Sequence, residues 1–103
     1  MKEPIAYLKG EFVPASQCVL PVYDLGIVLG AAVTDFLRTF DQQPYRMEDH
    51  VRRFYRSCKY ARIEPPVDME ETMVISEKLL AKNGALAPGQ ELGLVYYITA
   101  GEN

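Results

Sequence analysis

Apolar and polar positions divide the chain into strands, two helices and a last strand. Ile5-Ala6-Tyr7-Leu8 is apolar, Lys9-Gly10 is a turn signal, and Glu11-Phe12-Val13 follows before Pro14, so this stretch predicts a hairpin. Cys18-Val19-Leu20 predicts a short edge strand, ended by Pro21. Val22 to Gly26 predicts a loop with a turn at Asp24-Leu25-Gly26. Ala31 to Phe40 predicts the first long strand. Alternation puts Ala31, Val33, Asp35, Leu37 and Thr39 on one face, and Ala32, Thr34, Phe36, Arg38 and Phe40 on the other. Neither face is purely apolar, and an inward polar residue on a strand is usually paired or part of a site.

Asp41-Gln42-Gln43 with Pro44 predicts a turn, and Tyr45-Arg46-Met47 a short returning strand. A helix then begins, with Glu48 and Asp49 in its first turn, where negative charge suits the helix dipole. Val51, Phe54, Tyr55 and Cys58 recur at i, i+3, i+4, i+7 and form one apolar stripe. Arg53 lies on the opposite side of that helix, with Tyr60 and near His50 and Ser57. Glu64-Pro65-Pro66 breaks the chain. Asp68 starts a second helix with Glu71 three residues on, a capping-box pattern. Met69, Met73, Leu79 and Leu80 are its expected buried side, and Asn83-Gly84 its expected stop. Leu92 to Ile98 is apolar on both faces, the pattern of a central strand covered on both sides. The class is α+β: a mostly antiparallel sheet with two helices on one face.

Length and composition bound this picture. A chain of 103 residues is one domain at most. The net charge of −3 argues against nucleic acid as a bulk electrostatic partner, despite the local cluster Arg52, Arg53, Arg56, Lys59, Arg62. Two cysteines, Cys18 and Cys58, do not make a disulfide framework. No window approaches the length of a membrane span and no signal-peptide pattern opens the chain, so a cytoplasmic protein is expected.

Little of the remaining chemistry stands out. His50 is the single histidine, with no CxxC or HExxH, so no metal site is expected, and an early-helix surface or capping role is its simplest reading. No serine sits in a GxSxG elbow and no glycine-rich phosphate loop appears. The arginines are the exception. Arg52, Arg53 and Arg56 suit either a solvated helix face, with Glu48 and Arg52 paired at i, i+4, or anion binding, because arginine presents a planar fork to phosphate or carboxylate. Arg38, beside Thr34, Phe36 and Phe40, suits either a structural ion pair or a pocket wall.

Four stretches carry a resemblance: Tyr7-Leu8-Lys9-Gly10-Glu11-Phe12-Val13, Val22-Tyr23-Asp24-Leu25-Gly26, Leu29 to Arg38, and Tyr45-Arg46-Met47-Glu48-Asp49-His50-Val51-Arg52-Arg53-Phe54. Together they resemble the N-terminal domain of the fold-type IV aminotransferases. That group uses pyridoxal 5'-phosphate and includes branched-chain amino acid aminotransferases, D-amino acid aminotransferases and aminodeoxychorismate lyase. The last stretch is the most specific, similar to F-R-L-x-E-H-L-x-R-L. The resemblance implies that Arg53 binds the cofactor phosphate and that Thr34, Phe36 and Arg38 line the substrate pocket. Leu29 falls where many members carry a pocket tyrosine, often contributed across a dimer interface. Asp35 stands where glutamate is common, and Val95 and Ala100 stand where some members carry arginines for a substrate carboxylate.

The resemblance also implies what this chain lacks. The Schiff-base lysine of the family belongs to a second domain, and Lys2, Lys9, Lys59, Lys78 and Lys82 match no catalytic motif. The expectation is therefore that residues 1–103 are the small domain of a truncated enzyme. The intact enzyme would be a homodimer transferring an amino group between an amino acid, of branched-chain type, and a 2-oxo acid. The isolated chain would be inactive and would not bind the cofactor alone. Aminodeoxychorismate lyase on the same scaffold, or a stand-alone interaction module, are the alternatives.

Overall fold

The computed structural model describes residues 3–102. Strands β1 (Ile5–Leu8) and β2 (Glu11–Pro14) form the expected hairpin, and a 3-10 turn follows at Ala15–Gln17. Cys18 to Leu20 is irregular rather than an edge strand: the Cys18 N–H closes the preceding turn on Ala15 O, and Val19 is exposed with no strand beside it.

The expected loop at Asp24-Leu25-Gly26 is instead a single helical turn, α1 (Leu25–Val28). The Asp24 carboxylate, 3% exposed as a residue, caps it by accepting from the Gly26 N–H at 2.7 Å, and it accepts from Thr99 Oγ1 at 3.1 Å. A methyl group at Gly26 would meet Thr99 Cγ2 at 2.5 Å, so glycine is what lets α1 approach the far end of the sheet.

β3 (Ala32–Phe40) is central in a three-stranded antiparallel sheet, flanked by β4 (Gln43–Pro44) and β5 (Gly93–Thr99). The returning strand thus falls just ahead of the expected Tyr45–Met47. The β3–β4 connection is a two-residue turn in which Asp41 and Gln42 both have positive φ, 53° and 59°. Such a turn favours glycine or asparagine. Here the Glu91 carboxylate accepts from both turn N–H groups, at 2.6 and 3.0 Å, and from the Thr39 hydroxyl at 2.6 Å. The Gln42 amide donates to carbonyls of Gly84, Ala87 and Gln90, which ties the turn to the segment behind it.

α2 (Met47–Ala61) packs on β3 through the predicted stripe: Val51, Phe54 and Cys58 are buried and Tyr55 is half-buried. Val33, Phe54 and Cys58 form the core, with Tyr55, Ile63, Tyr96 and Ile98 packed around them. α3 (Met69–Leu86) starts as predicted, the Asp68 carboxylate accepting the Glu71 N–H at 2.8 Å. Its buried side includes Ile75, Ser76, Leu79 and Leu80, whereas Met69 is 41% exposed. It does not stop at Asn83-Gly84. The Asn83 amide is directed sideways instead, exchanging two hydrogen bonds with the backbone of Ile5, at 2.8 and 2.9 Å. The hairpin is thereby fastened to α3.

The helices thus cover one face of β3 and β5. Among the described residues nothing covers the other face, and this corrects the expectation for the last strand. β5 is an edge strand, and Val95 and Tyr97 are 59% and 50% exposed.

Candidate functional site

Alternation along β3 separates two groups of side chains. Val33, Asp35, Leu37 and Thr39 are buried beneath the helices; Thr34, Phe36, Arg38 and Phe40 are exposed.

On the covered face, Asp35 meets Arg53. Arg53 donates from Nε to Oδ2 at 2.8 Å and from Nη2 to Oδ1 at 2.7 Å, a two-point fork. Oδ1 also accepts the Phe36 N–H at 2.8 Å and lies 3.0 Å from His50 Nδ1. His50 Nδ1 also lies 3.2 Å from Arg53 Nη2, so the ring nitrogen stands between the carboxylate, which only accepts, and the guanidinium, which only donates. His50 and Arg53 lie three residues apart on α2 and so reach the same carboxylate. The Arg53 guanidinium beside Asp35 holds the aspartate carboxyl well below its ordinary value of 3.8, at about 2, against the opposing effect of burial. The carboxylate raises the Arg53 pKa in turn, so both groups are charged at any physiological pH. The two partners differ in exposure: the Asp35 side chain is 4% exposed and that of Arg53 56%. Nη1 of Arg53 makes no hydrogen bond among the described residues, and the side chain that carries it is more than half exposed.

On the open face, β3 pairs with β5 so that Thr34 lies opposite Tyr97, Phe36 opposite Val95 and Arg38 opposite Gly93. The Phe36 ring leans over Gly93, where an added methyl group would meet it at 2.7 Å. Arg38 donates from Nε to its neighbour's carbonyl, Thr39 O, at 3.0 Å, and its guanidinium carbon sits 4.0 Å from the Phe40 ring centroid. It forms no ion pair among the described residues, so the structural-ion-pair reading of Arg38 does not hold here. Its terminal nitrogens remain available on an otherwise largely apolar surface. Leu29, 72% exposed, caps the end of α1 and belongs to neither group.

The structure therefore brings Thr34, Phe36 and Arg38 together and sets Arg53 on the reverse side of the strand. The i, i+4 pair of Glu48 and Arg52 is present at 2.6 Å. Arg53, by contrast, is not on a merely solvated face. Asp35 and His50 are the residues that sequence reading missed as its partners. A buried acid between Val33 and Leu37 was the available signal.

Known structures share this arrangement of strands and helices. A fold IV-transaminase of Curtobacterium pusillum superposes with a TM-score of 0.79 over 89% of this chain and 32% of that one, at 24% identity. The branched-chain aminotransferase of Thermoproteus uzoniensis, solved with norvaline, gives 0.83 over 93% of this chain and 33% of that one, at 19% identity. The fold is that of the small domain of the fold-type IV aminotransferases. The chain itself belongs to the class IV aminotransferases, whose family model (Amino-transferase class IV) matches residues 32–103. The D-alanine aminotransferase of Staphylococcus aureus (strain MSSA476) is 28% identical over 90 residues, 87% of this chain and 30% of that protein. The chain thus spans less than a third of that relative's length. No helix among the described residues is long and apolar enough to cross a membrane.

Proposed function

We propose that residues 1–103 are the N-terminal small domain of a pyridoxal-phosphate-dependent aminotransferase, which moves an amino group between an amino acid and a 2-oxo acid. The observation that carries this reading, within a chain of this family, is the Arg53 fork. One edge of the guanidinium is fixed on Asp35, and Nη1 stays outward and charged. That donor set fits a phosphate. Pyridoxal phosphate, when bound, supplies the electron sink for amino transfer.

The remaining roles belong to the open face. Arg38 binds a substrate carboxylate, and Phe36 with Val95 and Tyr97 offers an apolar wall that excludes water from the substrate side chain. Thr34 closes that wall beside Tyr97. An apolar wall beside a cation suits a branched-chain amino acid. Lys9, Lys59, Lys78 and Lys82 are all exposed, which fits a cofactor-bearing lysine outside these residues; Lys2 lies outside the described residues. The exposed apolar side chains of Val22, Ile27, Val28 and Leu29 support a homodimer. The free cysteines Cys18 and Cys58 support a cytoplasmic protein.

The test is amino transfer to 2-oxoglutarate by the full-length protein, with L-leucine, L-valine and D-alanine as donors. Transfer from the branched-chain donors is expected. Transfer from D-alanine alone would overturn the substrate reading, and no transfer from any amino acid would overturn the activity. The 103-residue chain by itself is expected to give none.

A further inference from the structure

We infer that Asp35 is a positioning residue for the cofactor phosphate: it holds the guanidinium of Arg53 so that the Nη1 edge faces outward. The inference rests on the reading of Arg53 as the phosphate anchor, and it adds what fixes that anchor in place.

Asp35 occupies a position where an apolar residue would pack well. Its neighbours on the same face, Val33 and Leu37, are buried at 8% and 1% exposure, and Asp35 itself is at 8%. Aspartate is disfavoured in strands, and a buried ion pair often yields no more stability than apolar residues of similar volume. Stability is therefore a poor reason for a carboxylate here. Its effect on Arg53 is a better one.

The carboxylate is saturated. Its two oxygens take the Phe36 N–H, His50 Nδ1, and the Nε and Nη2 of Arg53, all within 3.0 Å. Three of those contacts come from two residues of α2, so the carboxylate is locked by the backbone of β3 on one side and by the helix on the other. A free arginine on a half-exposed helix position samples many rotamers. Once Nε and Nη2 are committed, the guanidinium plane is set and Nη1 is the edge left for a ligand. Preorganisation of this kind raises affinity by removing an ordering cost at the moment of binding.

The experiment compares dissociation constants of pyridoxal 5'-phosphate and of pyridoxal, which lacks the phosphate, for the full-length protein and its variants. In Asp35→Asn, and in Asp35→Leu, which fills the same buried space without charge, the preference for the phosphorylated form is expected to fall about tenfold. Pyridoxal binding is expected to stay unchanged, which shows that the fold survives. Asp35→Glu, which keeps the charge and both acceptors, is expected to restore most of the preference. The 31P resonance of the bound cofactor is expected to move in Asp35→Asn. If the folded variants keep the wild-type preference while Arg53→Gln loses it, the positioning role of Asp35 is overturned and the phosphate role of Arg53 stands. If Arg53→Gln also keeps it, the phosphate reading itself fails.

Discussion

Asp35 and Phe36 are adjacent in β3 and serve opposite faces of the sheet. The Asp35 carboxylate is buried against α2 in the grip of Arg53, while the Phe36 ring, 54% exposed, leans over Gly93 on the uncovered side. They are also bonded to each other, the Phe36 N–H donating to Asp35 Oδ1 at 2.8 Å. A one-residue slip of β3 would exchange the two faces. The register of β3 thus sets both the Asp35–Arg53 pair and the open-face cluster at once.

The Asp35 ion pair makes stability depend on acid. The folded-state value, about 2, lies below the ordinary 3.8, so the contribution is fully present above the unfolded value and is lost as pH falls through the folded one. The shift corresponds to about 2 kcal/mol. Urea unfolding of the wild type and Asp35→Asn between pH 6 and 2 is the check. The stability gap between them is expected to be largest above pH 5 and to shrink by about 2 kcal/mol toward pH 2. A gap that does not change with pH would contradict the pairing.

Gly93→Ala tests the contact on the open face. The new methyl group would stand 2.7 Å from the Phe36 ring, which is free to swing toward solvent. Loss of glycine also reduces the entropy of the unfolded chain, a gain of about 0.4–1 kcal/mol that offsets part of the strain. The expected outcome is a melting temperature within about 5 °C of the wild type. The Phe36 ring resonances are expected to shift in NMR spectra. Unchanged Phe36 resonances would show that the ring does not lie over Gly93.

Asn83→Ala removes the side chain that holds β1 to α3. The N–H and C=O of the half-buried Ile5 both lose their partner, along with the bond from Asn83 to Leu79 O. Leaving buried polar groups unpaired costs about 1–3 kcal/mol, and denaturant unfolding should show a loss of that size. Asn83→Asp should cost more, because its carboxylate would face the Ile5 carbonyl without a donor. A loss below about 0.5 kcal/mol in both would contradict the role assigned to Asn83.

Much of this was legible in the chain. The Val51–Phe54–Tyr55–Cys58 stripe, the Asp68 cap and the alternation of β3 are local signals, and the structure follows them. The failures are long-range. Asn83-Gly84 has the form of a helix stop, but α3 runs on to Leu86, and the Asn83 amide is engaged by a strand 78 residues away in sequence. Glu91 carries no motif, yet it holds a turn 49 and 50 residues earlier. The apolar run of β5 implied cover on both faces, whereas the described chain supplies a layer over only one. Asp35 was visible as an acid in a strand, but its partners sit 15 and 18 residues on, beyond any local pattern.

The proposed division of labour between the two faces is tested most directly by the cofactor dissociation constant of the full-length protein in two variants, Arg53→Gln and Arg38→Gln. Charge-assisted hydrogen bonds to a phosphate, at about 1.5–3 kcal/mol, correspond to roughly a 10- to 100-fold weakening when Arg53 is lost. Arg38→Gln should leave cofactor affinity within about twofold of the wild type while raising the KM of the amino acid. Equal loss of cofactor affinity in both variants, or none in Arg53→Gln, would contradict a phosphate anchor on one face and a substrate reader on the other.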